Sequence, residues 1–464
     1  MKYPLRVISC TAWVLLTLST CSAPKPNDWS ITIPAIGASS SLVATDLNGD
    51  GHLDIVLGGA AQEFTALEAS VIALDGIDGR LLWQVRGHNQ VVGTAILQDL
   101  TGDGTDEVFI GGRSATFKAI DGRTGTVPWE YLPFDEQLDY VNDTLLLNFY
   151  TAQWIPDADG DGFTDILTAY GGFVKARRGE TDRPGGYLMV LSGKTGKTLQ
   201  KVAVPDGKET YLSPLVHDFG EGGEVIYGTG GESISGQLYR VALDSLLAGS
   251  LASSKLIVDG GNKGLIAPPV LVDITADGVA DIIVPTVNGR LVAVDGRSSA
   301  QLWSAGPPGD VADFDRDGTS DVLVCVNEIT RVGNAIHADD YRSNKLYTFA
   351  GGRGPAVELP PAEIGTNLGS TPLLCDLDAD GYLDLITANM GDPLQFYSFR
   401  ELKISRRELD VAAASIVFGG YMGGEQEGCD GAEVGPSRTY RISAVVAQIM
   451  DVLGSALIAV GSRL

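Results

Sequence analysis

The chain has 464 residues, with 59 acidic against 33 basic side chains and a formal net charge of −26. No basic stripe stands out against that balance, which excludes a nucleic-acid binder, because phosphates need one. With 59 glycines, the length reads as many tight turns in one repetitive body rather than two or three average domains.

Lys2 and Arg6 precede an apolar run, Val7 to Leu18, that is too short to span a bilayer and has the form of a secretory signal. Leu18-Ser19-Thr20-Cys21 follows and resembles a bacterial lipobox, which implies acylation of Cys21 and a membrane anchor there. Thr20 stands where Gly or Ala is usual, so ordinary secretion is the alternative. Residues 1–21 are thus expected to be a signal and 22–27 a tether. The expected location is the bacterial cell envelope: an outer-membrane lipoprotein, since Ser22 follows the cysteine, or a periplasmic or secreted protein.

From residue 28 the chain repeats. Asp-x-(Asp/Asn/Thr)-x-Asp-Gly with a further carboxylate at position 9 begins at Asp46 (DLNGDGHLD), Asp99 (DLTGDGTDE), Asp157 (DADGDGFTD), Asp273 (DITADGVAD), Asp313 (DFDRDGTSD) and Asp376 (DLDADGYLD). A shortened copy at Asp218 (DFGEGGE) fills the gap, and successive starts lie 40 to 63 residues apart. Such a period belongs to arrays in which each unit leans on its neighbours.

Oxygens at positions 1, 3 and 5 converge when the backbone turns sharply at the position-6 glycine, which suits a hard cation such as Ca2+. The candidate ligands are the side chains at positions 1, 3, 5 and 9 and the backbone carbonyl at position 7. They are Asp46, Asn48, Asp50, His52 and Asp54; Asp99, Thr101, Asp103, Thr105 and Glu107; Asp157, Asp159, Asp161, Phe163 and Asp165; Asp273, Thr275, Asp277, Val279 and Asp281; Asp313, Asp315, Asp317, Thr319 and Asp321; and Asp376, Asp378, Asp380, Tyr382 and Asp384. An EF-hand needs Glu at position 12 and flanking helices. Position 12 here is Leu57, Ile110, Thr168, Val284, Val324 or Thr387, within runs such as DIVLGG and DVLVCV that read as strands.

A second repeat follows most loops: VIALDGIDGRLLWQV from Val71, KAIDGRTGTVPWEY from Lys118, MVLSGKTGKTLQKV from Met189 and LVAVDGRSSAQLWSA from Leu291. Each reads as strand, glycine-bearing turn, strand. Trp83, Trp129 and Trp303 each lie eight residues after the turn aspartate, and Gln200 fills that place in the third unit. The later units, LYTFAGGRGPAVEL from Leu346 and LQFYSFRELKIS from Leu394, lack the tryptophan. Loop and hairpin together give a four-stranded unit, and seven units predict an all-β, seven-bladed propeller over residues 28–407. The strand Asp28 to Pro34 (DWSITIP) is expected to complete the last blade and remove an unpaired edge.

The loop repeat resembles the FG-GAP repeat of integrin alpha-subunit propellers and their bacterial VCBS-type relatives. The hairpin is similar to the repeat of pyrroloquinoline-quinone-type propellers. The first resemblance implies several Ca2+ sites and a binding or adhesion module; the second raises a quinone-dependent dehydrogenase. A calcium-dependent polysaccharide lyase is the other catalytic reading. Adjacent Cys-Cys pairs, typical of quinone-dependent alcohol dehydrogenases, do not occur, and docking of one blade on the next also accounts for the tryptophans. Of four histidines, only His88 and His337 lie away from the loops, so no catalytic residue is assigned. Cys325 and Cys375 are expected to be buried thiols.

In such a blade the acidic loops and the hairpin turns share one face. The long insertions fall on the other: Tyr131 to Leu146, Tyr170 to Gly186, Asn327 to Asn344 and Glu358 to Gly369. Arg177, Arg178, Arg183, Tyr341 and Arg342 are its candidate contacts for a protein or an acidic polysaccharide, against the plainer reading as solvated charges. Residues 408–464 carry no repeat. Ile442 to Gly461 reads either as a membrane span, with Gln448 and Asp451 costly at its middle, or as an amphipathic helix.

Overall fold

The structure, a computed structural model, describes residues 27–38, 40–62, 65–131, 147–173, 176, 180–220, 222–273, 275, 277–288, 290–305, 310–312, 321–332, 339–349, 356–367, 370–391 and 400–413. Cys21, Arg177, Arg178, the loop from Asp313 to Thr319, most of the Tyr131–Leu146 insertion and the helix expected over 442–461 lie outside them. Among the described residues no helix is long and apolar enough to cross a membrane.

The fold is a β-propeller, and among the described residues it has seven antiparallel sheets, five of four strands and two of five. In the first sheet, Gly37–Ala38 and Val43–Thr45 pair with Asp54–Ala60, followed by Leu67–Leu74 and Leu81–Gly87. The acidic loop always joins the first strand to the second. In five described sheets the position-9 carboxylate opens the second strand: Asp54, Glu107, Asp165, Asp281 and Asp321. The seven residues of Asp54–Ala60 are all buried, whereas Leu81–Gly87 alternates buried and exposed. Continuous apolar runs therefore make the inner strands and alternating ones the outer edge.

Hydrophobic cores lie between sheets rather than within them. One cluster joins Ile55, Leu57 and Ile72 of the first sheet to Cys375, Ile386 and Ile404 of the seventh. Others join the first sheet to the second, the second to the third, the third to the fourth and the fourth to the fifth. Each blade is thus stable only with neighbours, as the repeat period requires. Cys375 is a buried thiol, as expected.

The N-terminal strand Trp29–Pro34 pairs with Glu401–Ala412, from Trp29 opposite Arg406 to Pro34 opposite Glu401. It supplies the fourth strand of the seventh sheet, so chain ends close the ring. The strand Glu401–Ala412 continues past residue 407, the boundary expected from sequence. In the sixth sheet the expected loop insertions are strands: Asp321–Val332, Asp339–Phe349 and Ala356–Ile364 form an extended antiparallel ladder. Tyr341 and Arg342 pair there with Thr330 and Ile329. The hydrophobic alternation of that stretch is weak, which hid the strands.

Three indoles dock consecutive blades. Trp29, Trp83 and Trp129 donate Nε1–H to the carbonyls of Gly76, Gly122 and Gly193, at 3.0, 2.6 and 3.1 Å, each in the hairpin turn of the next sheet. The second glycine of that turn lies under the ring: a Cβ on Gly125, whose φ is +70°, would stand 2.9 Å from Trp83. Trp29 restores the tryptophan that the seventh unit lacks when read in chain order. Trp303, at the equivalent place, is 39% exposed.

Around the axis a second connection links the inner ends. The amides of Thr371, Ser41 and Thr94 donate to the hydroxyls of Ser41, Thr94 and Thr151, at 3.0, 3.2 and 2.8 Å. The relay steps from the seventh sheet to the first, second and third.

Replacing Trp83 by Ala is expected to cost about 3–5 kcal/mol, and by Phe about 1–2 kcal/mol, because the Gly122 carbonyl then lacks its donor. Gly125→Ala should cost about 1–2 kcal/mol through its left-handed backbone and the ring above it. Urea unfolding of the three variants checks the order.

Candidate metal loops and the opposite face

The acidic loops share one internal bonding pattern. The position-1 carboxylate accepts amides from the turn: Asp46 from Gly49 and Gly51 at 2.7 and 2.9 Å, and Asp157 from Gly160 and Gly162 at 2.6 and 2.8 Å. Asp99, Asp273 and Asp376 do the same. The position-5 carboxylates Asp50, Asp103, Asp161, Asp277 and Asp380 accept the position-7 amides of His52, Thr105, Phe163, Val279 and Tyr382. This winding needs a left-handed residue at position 6, where Gly51 has φ +87° and Gly162 +89°. The backbone bonds hold Asp99 and Asp157 below the usual carboxylate range.

Position 9 is different. Burial pushes the Asp54 carboxyl up to about 6, against amide bonds from Leu47 and Gly76, and Asp75 and Asp50 add to the rise. Burial also raises Asp165, and Asp159 and Asp157 reinforce it. Carboxylate oxygens of Asp157, Asp159 and Asp165 lie within 4.8 Å of one another, as do those of Asp376, Asp378 and Asp384. In the Asp157 loop, a buried carboxylate beside two exposed ones is a donor set that fits an oxygen-seeking cation.

Four other loops depart from that set. In the Asp376 loop, Arg406, its side chain wholly buried, reaches Asp384 Oδ1 and Oδ2 at 2.9 Å and Asp378 Oδ2 at 2.7 Å. Two of the expected ligands there already hold a guanidinium. At the shortened Asp218 loop, Arg240 pairs with Glu224. Thr101, at position 3, donates to Glu107 at 3.2 Å. Thr275, its counterpart, donates to Asp273 at 3.4 Å, and Arg297 pairs with Asp277 at 2.9 Å. Asp281 accepts the Thr275 amide, and Asp321 opens its strand.

On the opposite face the structure brings together side chains from connections in four consecutive sheets. Glu209, 1% exposed, accepts from Arg183 and Tyr211 at 3.0 and 2.9 Å and from the Phe173 amide at 2.9 Å. Arg183, expected as a ligand-face cation, has a side chain 12% exposed and tied to Glu209, the Glu180 carbonyl and Ser233. Tyr150 stands edge-on to Tyr211, ring centroids 5.8 Å apart, and burial raises both phenols. Burial raises the Glu232 carboxyl too, while Lys263, Arg183 and Arg113 draw it back. Arg113 is held by Gln90 at 2.7 Å. Of this group sequence reasoning found Arg183 alone, because the members are scattered over the chain. Their common signal is position, either between a second and a third strand or in the segment leading into a first one.

No family model matches the sequence. Among curated proteins, Protein FAM234B of Gallus gallus is 27% identical over 209 residues, 41% of this chain, which spans 30% of that relative. Among solved structures, the quinohemoprotein alcohol dehydrogenase from Comamonas testosteroni aligns with TM-score 0.50 at 12% identity, over 82% of this chain and 76% of that one. The Bacillus licheniformis rhamnogalacturonan lyase PL11 aligns with TM-score 0.46 at 15% identity, over 82% and 74%. At 12% identity the likeness to the dehydrogenase is one of fold, the β-propeller.

With divalent metal chelated, the Asp54 carboxyl should be protonated in the fold at pH 4 and charged above about pH 6. Its raised value means that stability falls as pH rises through that window. Asp54→Asn should remove this fall, as read from unfolding free energies of both proteins across the window in chelator.

Proposed function

We propose that the chain is an exported, calcium-stabilised binding propeller that recognises a protein or an acidic polysaccharide through the face opposite its acidic loops. The observation that carries this reading is the half-buried group on that face: Arg113, Arg183 and Lys263 with Glu209, Glu232, Tyr150 and Tyr211. Cations beside phenols suit carboxylate groups, with guanidinium forks for the charge and rings for an apolar sugar face or side chain. Ca2+ would be held by the Asp157 loop through Asp157, Asp159 and Asp165, and would there neutralise a buried carboxylate. Acylation at Cys21 would keep the module on the envelope surface.

A catalytic reading has one specific support. Glu232, kept above the usual carboxylate range among three cations, has the character of a proton acceptor beside a bound uronate, as a polysaccharide lyase requires. Absorbance of unsaturated sugar on incubation with an acidic polysaccharide would favour it.

The test is calorimetric titration with polygalacturonate and with neutral dextran, using the wild type, Arg113→Ala and Lys263→Ala. Binding to the acidic polymer alone, weakened at least tenfold in both variants with unfolding unchanged, is expected. A protein ligand would instead leave both polymers unbound, and polymer binding unaffected by either substitution would move recognition off this face.

A further inference from the structure

The last loop is where the repeat's own ligand set fails. Arg406 takes the place of a cation between Asp378 and Asp384, and it also donates to the Gly76 carbonyl at 3.3 Å, beside the Trp29 indole. That guanidinium leaves a second, outer set of oxygens. Carboxylate atoms of Asp378, Asp380 and Glu408 lie within 4.8 Å of one another. Glu408 belongs to the strand Glu401–Ala412, opposite Asp384, and not to the loop motif.

An independent feature marks this outer set. The Asp378 side chain is 9% exposed, and its two oxygens differ. Oδ2 accepts from Arg406 and from Asn27 Nδ2, both at 2.7 Å, whereas Oδ1 is buried and has no hydrogen-bond partner. A buried carboxylate oxygen without a donor is costly. Arg406 supplies one positive charge against Asp376, Asp378, Asp380, Asp384 and Glu408.

We propose that a hard divalent cation of the calcium class binds between Asp378, Asp380 and Glu408, beside the guanidinium of Arg406 that bridges two ligands of the repeat's usual site. All its protein ligands are oxygens, which selects against thiolate-seeking metals. The position gives the ion a structural consequence. Glu408 also holds the N-terminal strand, its amide donating to Asp28 Oδ1 at 2.9 Å, and Asn27 touches Asp378. The cation therefore ties the last acidic loop to the third strand of its sheet at the seam where the two chain ends close the ring. It shares with the proposed function only the kind of ion.

The experiment compares full-length wild type, Glu408→Gln and Asp159→Asn, the last altering the third loop alone. Calcium is counted by equilibrium dialysis, and amide exchange is followed over residues 28–34 with calcium and with chelator. Glu408→Gln should lose one bound calcium and the calcium-dependent slowing of exchange in the N-terminal strand. Asp159→Asn should lose a different calcium and keep that slowing. If Glu408→Gln does not fold, the exposed Asp380→Asn serves in its place. An unchanged count and unchanged protection in the seam variant, with loss only in Asp159→Asn, overturn this site while leaving the loop reading intact. A wild type that binds no calcium overturns both.

Discussion

The structure depends on a glycine at which two backbones meet. In each regular hairpin turn, Gly76, Gly122, Gly193 or Gly296 lies so close to the loop residue just before position 9 that a Cβ would strike the carbonyl of Leu53, Asp106, Thr164 or Ala280. The amides of Gly76, Gly193 and Gly296 bond to the position-9 carboxylates Asp54, Asp165 and Asp281 at 3.2, 3.1 and 2.9 Å. The carbonyl of the same glycine receives a donor from the preceding blade. Loop, hairpin and blade contact are thereby one construction, and a buried carboxylate sits at its centre.

Where the construction varies, both sides vary together. In the fourth sheet a helix, Leu243–Leu247, replaces the tight turn, and the facing residue is Gln200 rather than tryptophan. Its amide donates to the Leu247 carbonyl at 2.9 Å, so the connection survives with a different donor. Between the fourth and fifth sheets Arg240 takes over, donating to the Gly296 carbonyl while paired with Glu224. Arg406 does the same at the ring closure. Both arginines link a loop carboxylate to the next blade's turn, the task that indole and amide share elsewhere.

Much of this was legible in the sequence because the repeat encodes it twice, in acidic spacing and in the Asp-to-Trp interval. Strand order, the closing strand and the equivalence of Trp83 and Trp129 follow from those patterns. The hydroxyl relay was not read, although Ser41, Thr94 and Thr371 each stand five residues before a loop's first aspartate. Single hydroxyls carry no periodic signal. Arg406 and Glu408 also escaped notice, since they lie more than twenty residues after their loop and meet it only through strand pairing. The tie between Arg183 and Glu209 was not read either, because composition cannot show that Glu209, in a later connection, turns back to meet it.

A buried carboxylate repeated around the ring would make a bound metal a matter of stability first, since any face opposite the loops can be presented only by a ring that holds. The most direct measurement is thermal unfolding of the full-length protein with calcium and with excess chelator, at neutral pH. The account predicts one cooperative transition that calcium moves to markedly higher temperature, with several ions bound. Identical transitions and no bound metal would mean that amide bonds alone satisfy the acidic loops, and would contradict it.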